Sequence, residues 1–168
     1  MRLHVLRVPV PILGAVCLAA SDYGLVRVHL GDEMPRLERE VRERWPEAEL
    51  VGADAALREA GRTLRAYLEG GPDPSHLRVV LPEDGFSARV WRELQKIPRG
   101  EVRSYARVAK ALRKPGAARA VGQACGRNPV PLVIPCHRVV ASDGGLGGFA
   151  GDLRWKRALL VLEGARPA

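Results

Sequence analysis

Short apolar runs separated by turn residues open this chain and predict strands near His4 to Val8, Ile12 to Ala19 and Leu25 to Leu30. The turn Asp22-Tyr23-Gly24 joins the last two. The spacing then becomes helical over Pro35 to Trp45 and Ala55 to Leu68, and Gly70-Gly71-Pro72 closes the second segment. A polar connection ends near Pro82. Beyond it Phe86, Val90, Leu94 and Ile97 share one face of a helix predicted over Phe86 to Ile97, and Pro98-Arg99-Gly100 turns the chain. Ser104 can cap a helix from Tyr105 to Leu112, Lys114-Pro115-Gly116 makes a turn, and another helix runs from Ala117 to about Arg127. A last helix is predicted from Leu153 to Leu162. The pattern divides the chain into an α+β unit over residues 1–81 and a mostly helical unit over residues 82–168, with no internal repeat.

Composition narrows what such a chain can be. With 168 residues, 46% of them hydrophobic, it can bury a real core as one large or two small domains. A formal charge of +8 and a pI near 10.1 point to a polyanionic partner, nucleic acid or an acidic membrane surface. Lysine occurs only at Lys96, Lys110, Lys114 and Lys156, so arginine supplies most of the charge. Arginine suits bidentate phosphate contacts, and a GC-rich genome produces the same bias. Cys17, Cys125 and Cys136 are odd in number and unrelated in spacing, which suits a reducing, cytoplasmic setting better than a disulfide framework. No zinc spacing is present. The apolar stretch Val8 to Ala20 behind Arg2 and Arg7 could pass for a signal peptide, but Pro9 and Pro11 break it, and two strands of a hairpin explain it better. No run is long enough for a membrane span, so a soluble protein is expected.

The chemistry concentrates in Asn128-Pro129-Val130-Pro131-Leu132-Val133-Ile134-Pro135-Cys136-His137-Arg138-Val139. Three prolines stiffen this run, so Cys136 arrives on a rigid segment, as a nucleophile needs. A lone free cysteine is most often a small buried hydrophobe. The neighbouring histidine changes that, because an imidazole can take the thiol proton and stabilise the thiolate. Consecutive residues share no face of a helix or strand, so His137 must reach Cys136 through a turn or a bridging water. In the helix after Ala117, Ala117, Ala120, Val121 and Ala124 form a small apolar face, while Arg119, Gly122, Gln123 and Gly126 share another side. Each glycine within a helix costs about 1 kcal/mol relative to alanine. Close approach of a partner to the helix backbone would explain them, and a glycine C-cap is the alternative for Gly126. Two short helices around a turn also have helix-turn-helix spacing, although helical hairpins of this length are common in structural roles.

Pro135 to Val139, preceded by Gly100-Glu101-Val102, Ser104-Tyr105, Ala118-Arg119-Ala120-Val121-Gly122 and Asn128-Pro129, resembles the O6-alkylguanine-DNA alkyltransferases in order and spacing. The likeness covers roughly Phe86 to Gly164; the N-terminal half is only loosely similar and lacks the metal-binding cysteine and histidine pattern of animal members. The resemblance implies an α+β fold with a small ribonuclease H-like roll before a helix-turn-helix domain, no cofactor, no metal, and a monomer acting on double-stranded DNA that carries O6-alkylguanine.

It also implies roles residue by residue. Cys136 would attack the alkyl carbon, with His137 as base through a water and Glu163 orienting the imidazole. Glu163 lies near the end of the last predicted helix, where a carboxylate opposes the helix dipole and gains from a cationic partner. Asn128 would brace the loop before the cysteine, and Tyr105 would donate to the guanine ring as the O6 bond breaks. Arg119 would fill the gap left in the base stack, with Ala118, Gly122, Gln123 and Tyr105 beside it on the DNA face, the helix pair entering the minor groove and flipping the base. Val139 and Ala150 would read the guanine edge through their main chains, while Leu146, Gly148 and Phe149 would set the size of alkyl group that fits. Phe149 stands where many members carry tyrosine. A non-catalytic alkyltransferase-like protein shares the fold but lacks the cysteine, and a helix-turn-helix regulator or a cysteine hydrolase would use only part of this pattern.

Overall fold

The computed structural model describes residues 1–149 and 151–165. It divides into two compact units, Met1–Leu81 and Pro82–Ala168. Strands β1 (Arg2–Val10), β2 (Gly14–Ser21) and β3 (Gly24–Leu30) form an antiparallel meander, and β4 (Glu49–Gly52) adds in parallel to β1, giving the order β3-β2-β1-β4. Helix α1 (Met34–Arg44) covers one face of this sheet, where Leu37 and Val41 pack with Leu3, Cys17, Ala19 and Val26. Helix α2 (Ala55–Leu68) covers the other, and Gly61 sits directly over Leu6, Val8 and Leu18. With both faces covered, β2 is buried from Ala15 to Ala20 and reads as an unbroken apolar run instead of an alternation. The stretch that imitated a signal peptide is therefore the β1–β2 hairpin.

The sequence reading missed β4, four residues whose pattern is too short to carry a period. It also ran the next helix too far. Helix α3 (Phe86–Leu94) stops three residues before Ile97, where the Ile97 amide turns back to the Leu94 carbonyl at 3.0 Å. Pro98 disfavours helical geometry at the residue before it, so the chain tightens and leaves.

In the second unit a two-stranded parallel ribbon, β5 (Arg103–Ser104) and β6 (Val139–Val140), joins two distant stretches of sequence. Ser104 ends β5 and caps α4 (Tyr105–Ala111) by accepting from the Arg107 amide at 3.0 Å. The start of α4 is thereby pinned beside the strand that leaves Cys136. Helix α5 (Ala118–Gly126) packs on α4 and α3, with Val121, Ala124 and Cys125 inward and the Trp91 indole donating to the Ala124 carbonyl at 2.8 Å. Gly126 closes α5 from within and Arg127 is the cap, so the glycine C-cap reading does not hold. Helix α6 (Leu153–Leu162) ends at Gly164 with φ of 73°, where the Ala165 and Gly164 amides turn back to Leu160 and Val161. Among the described residues no helix is long and apolar enough to cross a membrane.

Candidate active site

Between α5 and β6 the chain runs through the proline-rich segment, buried from Val130 to Val140. Asn128 braces it from both sides: its amide donates to the Ile134 carbonyl at 2.8 Å, and its carbonyl oxygen accepts from the Val130 amide at 3.0 Å. Leu132 adopts φ of 76°, a left-handed conformation that a leucine holds only when its surroundings impose it. The segment ends in a single 3-10 turn, Cys136–Arg138, whose three residues are all buried. Cys136 and His137 have no exposed surface, and Arg138 is 2% exposed.

One carboxylate holds the last two side chains of this turn. Glu163, the C-cap of α6, accepts from the Arg138 guanidinium through both oxygens, at 3.0 Å from Nε and 2.8 Å from Nη2, and pairs with His137 Nε2. The remaining Arg138 arm donates to the Ile97 carbonyl at 2.8 Å, tying in the turn after α3. Burial alone would raise the Glu163 pKa, but hydrogen bonds from His137 and Arg138 outweigh it and hold the group at about 2. Glu163 is therefore an acceptor only, which makes Nε2 the protonated nitrogen of a neutral imidazole. Burial keeps His137 neutral by lowering its pKa, and the Glu163 carboxylate only partly opposes that. The lone pair is left on Nδ1, which has no hydrogen-bond partner among the described residues. That nitrogen can accept a proton.

Tyr105, at the start of α4, donates its hydroxyl to the Gly148 carbonyl at 3.0 Å, and burial raises its pKa well above the usual phenol range. Gly147 lies so close that a Cβ there would sit 2.5 Å from the Tyr105 hydroxyl oxygen, and its φ is 69°. This position requires glycine. An open groove of about 530 Å³ runs from Tyr105 and Ala106 along Ala118, Arg119, Gly122 and Gln123 to Gly148. At Gly122 a Cβ would meet only the Tyr105 ring at an ordinary 3.8 Å, so the protein itself does not demand glycine there. The groove brings together Tyr105, Ala118, Arg119, Gly122, Gln123 and Gly148 but does not reach Cys136. Val139 is buried, and its carbonyl accepts from Lys156. Leu146 packs on Val140, Leu160 and Ala165. Phe149 is half-buried, and Ala150 lies outside the described residues.

Two residues of this site escaped the sequence reading. Arg138 was legible only as part of the Cys136 signature, and Lys156 not at all. Lys156 is fully buried and donates to the Val139 carbonyl at 2.6 Å, to Gly148 at 2.8 Å and to Leu146. Both charges lie where the sequence is otherwise apolar: Arg138 within Val130 to Val140, and Lys156 on the stripe it shares with Leu159 and Leu160. That misplacement was the available signal. Burial pushes Lys156 down to about 8, with Cys136 and Cys125 opposing, and pushes the Cys125 thiol up to about 12. None of the three cysteines is in a disulfide, and among the described residues no cluster of His, Cys, Asp or Glu could hold a metal.

Charge is divided unequally between the two units. Residues 82–168 hold sixteen of the 27 lysines and arginines but only seven of the 19 acidic residues. Arg107, Lys110, Arg113, Lys114 and Arg119 on and around α4 and α5 are exposed and make no ion pair among the described residues. A buried cysteine followed in sequence by a neutral imidazole that a carboxylate orients, within so cationic a unit, has the chemistry of a cysteine-nucleophile protein that meets a polyanion.

Comparison with known proteins carries this further. The family described as 6-O-methylguanine DNA methyltransferase, DNA binding domain, matches residues 85–165. The methylated-DNA–protein-cysteine methyltransferase of Methanosarcina acetivorans is 37% identical over 91% of this chain and 94% of its own length. That of Mycolicibacterium paratuberculosis is 39% identical over 90% and 87%. The crystal structure of Mycobacterium tuberculosis OGT in complex with DNA superposes with a TM-score of 0.77 at 32% identity, covering 98% of this chain and 93% of that one. The chain belongs to the methylated-DNA–protein-cysteine methyltransferase family.

Proposed function

We propose that this protein repairs DNA by flipping O6-alkylguanine out of the duplex and moving the alkyl group irreversibly onto Cys136. The observation that carries the reading is the neutral His137, next to the cysteine in sequence and held by a Glu163 that Arg138 also grips, with its basic Nδ1 unpartnered among the described residues. His137 Nδ1 takes the thiol proton through a water, and the thiolate attacks the alkyl carbon in one displacement. The carbon–oxygen bond breaks, its electron pair goes to the guanine ring, and Tyr105 supplies a proton to that ring as charge builds. Proton balance closes through solvent. The thioether has no good leaving group, so each molecule acts once.

A thiol with no exposed surface cannot reach a base that stays stacked, which is why the reading includes extrusion. The helix pair α4 and α5 serves as the helix-turn-helix, with Gly122 and Gln123 toward the minor groove and exposed Arg119 entering the stack left by the flipped base. Val139, Leu146, Gly148 and Phe149 line the pocket for the base once the loop after β6 admits it, and the family resemblance adds Ala150, which lies outside the described residues. Residues 82–168 form the DNA-binding and transfer domain, and residues 1–81 a separate domain, related to a ribonuclease H-like roll. The protein works as a monomer in the cytoplasm, where its three thiols outside disulfides suit the redox setting.

The test is intact mass after incubation with excess duplex DNA carrying O6-methylguanine. One methyl group per protein molecule, followed by inactivity, supports the reading. Repair of many lesions per molecule would end it. Cys136→Ala should retain DNA affinity while losing transfer.

A further inference from the structure

Lys156 takes no part in the steps above, yet it is fully buried and donates to three carbonyls. The Tyr105 hydroxyl has one proton, and it is given to the Gly148 carbonyl at 3.0 Å. To donate to an incoming ring, the hydroxyl must let that carbonyl go. A carbonyl stripped of its donor away from water costs about 1–3 kcal/mol, and the partly screened Gly148 carbonyl would bear a share of that, which opposes the turn. Here the same oxygen already accepts from Lys156 Nζ at 2.8 Å. The other two ammonium protons go to Val139 at 2.6 Å and to Leu146, so three protons meet three carbonyls. The Tyr105 oxygen is a fourth, longer neighbour at 3.3 Å, and Nζ stands 5.7 Å from the ring centroid.

We propose that Lys156 is a positioning residue that frees the Tyr105 proton: it holds the carbonyls of Val139, Leu146 and Gly148 whether or not Tyr105 is bonded to Gly148. The hydroxyl can then turn to a guanine ring while the loop keeps its shape. Gly147 lets the loop approach the phenol this closely, and Lys156 keeps it there. The lowered basicity of the buried amine still leaves it mostly charged at neutral pH. This inference rests on the alkyl-transfer reading of the site.

A double-substitution cycle tests it, using transfer from free O6-benzylguanine resolved into a binding constant and a limiting rate. Lys156→Met should slow the limiting rate about tenfold or more when Tyr105 is present, and by less than about threefold in the Tyr105→Phe background. Equal losses in both backgrounds would assign Lys156 a general structural role and overturn the inference. Should Lys156→Met fail to fold, the Lys156 ammonium ¹⁵N resonance provides the second measurement. In Cys136→Ala protein it should shift on addition of O6-benzylguanine, and the shift should largely vanish when Tyr105→Phe is added. An unchanged resonance with the base bound would overturn the proposal. If the unmodified protein transfers no alkyl group from any donor, the underlying reading has failed instead.

Discussion

Glu163→Gln probes the carboxylate on which the site depends. Glu163 titrates at about 2 instead of its ordinary 4.5, because His137 and Arg138 both bond its charged form. At 1.36 kcal/mol per pH unit, that gap is worth roughly 3 kcal/mol of stability. The folded pKa is depressed, so the contribution is complete above pH 4.5 and is lost as the pH falls from there toward 2. The amide keeps the shape but removes the charge, leaving a guanidinium that is only 2% exposed without its counter-ion. Breaking such a buried pair from one side costs about 3–5 kcal/mol at neutral pH. Acid should erase the difference, since protonated Glu163 is as neutral as the amide. The assay is urea unfolding at a series of pH values from 7 to 3, in a Trp45→Phe background that leaves Trp91 and Trp155 as reporters of the second unit. The stability gap between parent and variant should be widest at neutral pH and shrink steadily below about pH 4.5. A gap that stays constant with pH, or one under about 1 kcal/mol at pH 7, would refute the reasoning.

Arg119 separates stacking from simple charge. Lys at this position restores phosphate contact but not a planar group, so Arg119→Lys should leave transfer from duplex DNA slow while transfer from free O6-benzylguanine stays nearly unchanged. Equal losses on both substrates would assign Arg119 to the fold. Gly147→Ala forces a methyl to within 2.5 Å of the Tyr105 hydroxyl at a φ of 69°, so it should slow transfer from duplex and free base alike, by about tenfold or more. Full activity in that variant would show that the loop does not rest on Tyr105.

The sequence revealed the site more readily than the fold around it, and the reason is local. Cys136 and His137 are adjacent, and their prolines and Asn128 lie in one run, so little tertiary information was needed. Glu163 came from the family resemblance, supported by the fact that a carboxylate at a helix C-terminus is out of place without a cation. Its second partner was not, since the bidentate grip of Arg138 depends on how the turn before β6 meets α6. Lys156 looked like one more surface lysine on an amphipathic helix, and only its register with Leu159 and Leu160 hinted that it points inward. In the first unit, capped helix α2 was legible to the residue, with Asp54 accepting from the Leu57 amide at 2.8 Å. β4 was not, because four residues pairing with β1 from 47 positions away leave no local period.

The central claim is that Cys136, and no other group, receives the alkyl carbon. Protein treated with duplex DNA carrying O6-methylguanine with a deuterated methyl group, then digested and mapped by mass spectrometry, measures this directly. All of the label should appear as a thioether on the peptide containing Cys136, in proportion to the protein consumed, with none on the peptides of Cys17 or Cys125. Label on another residue, or label released as methanol while the protein remains active, would contradict the account.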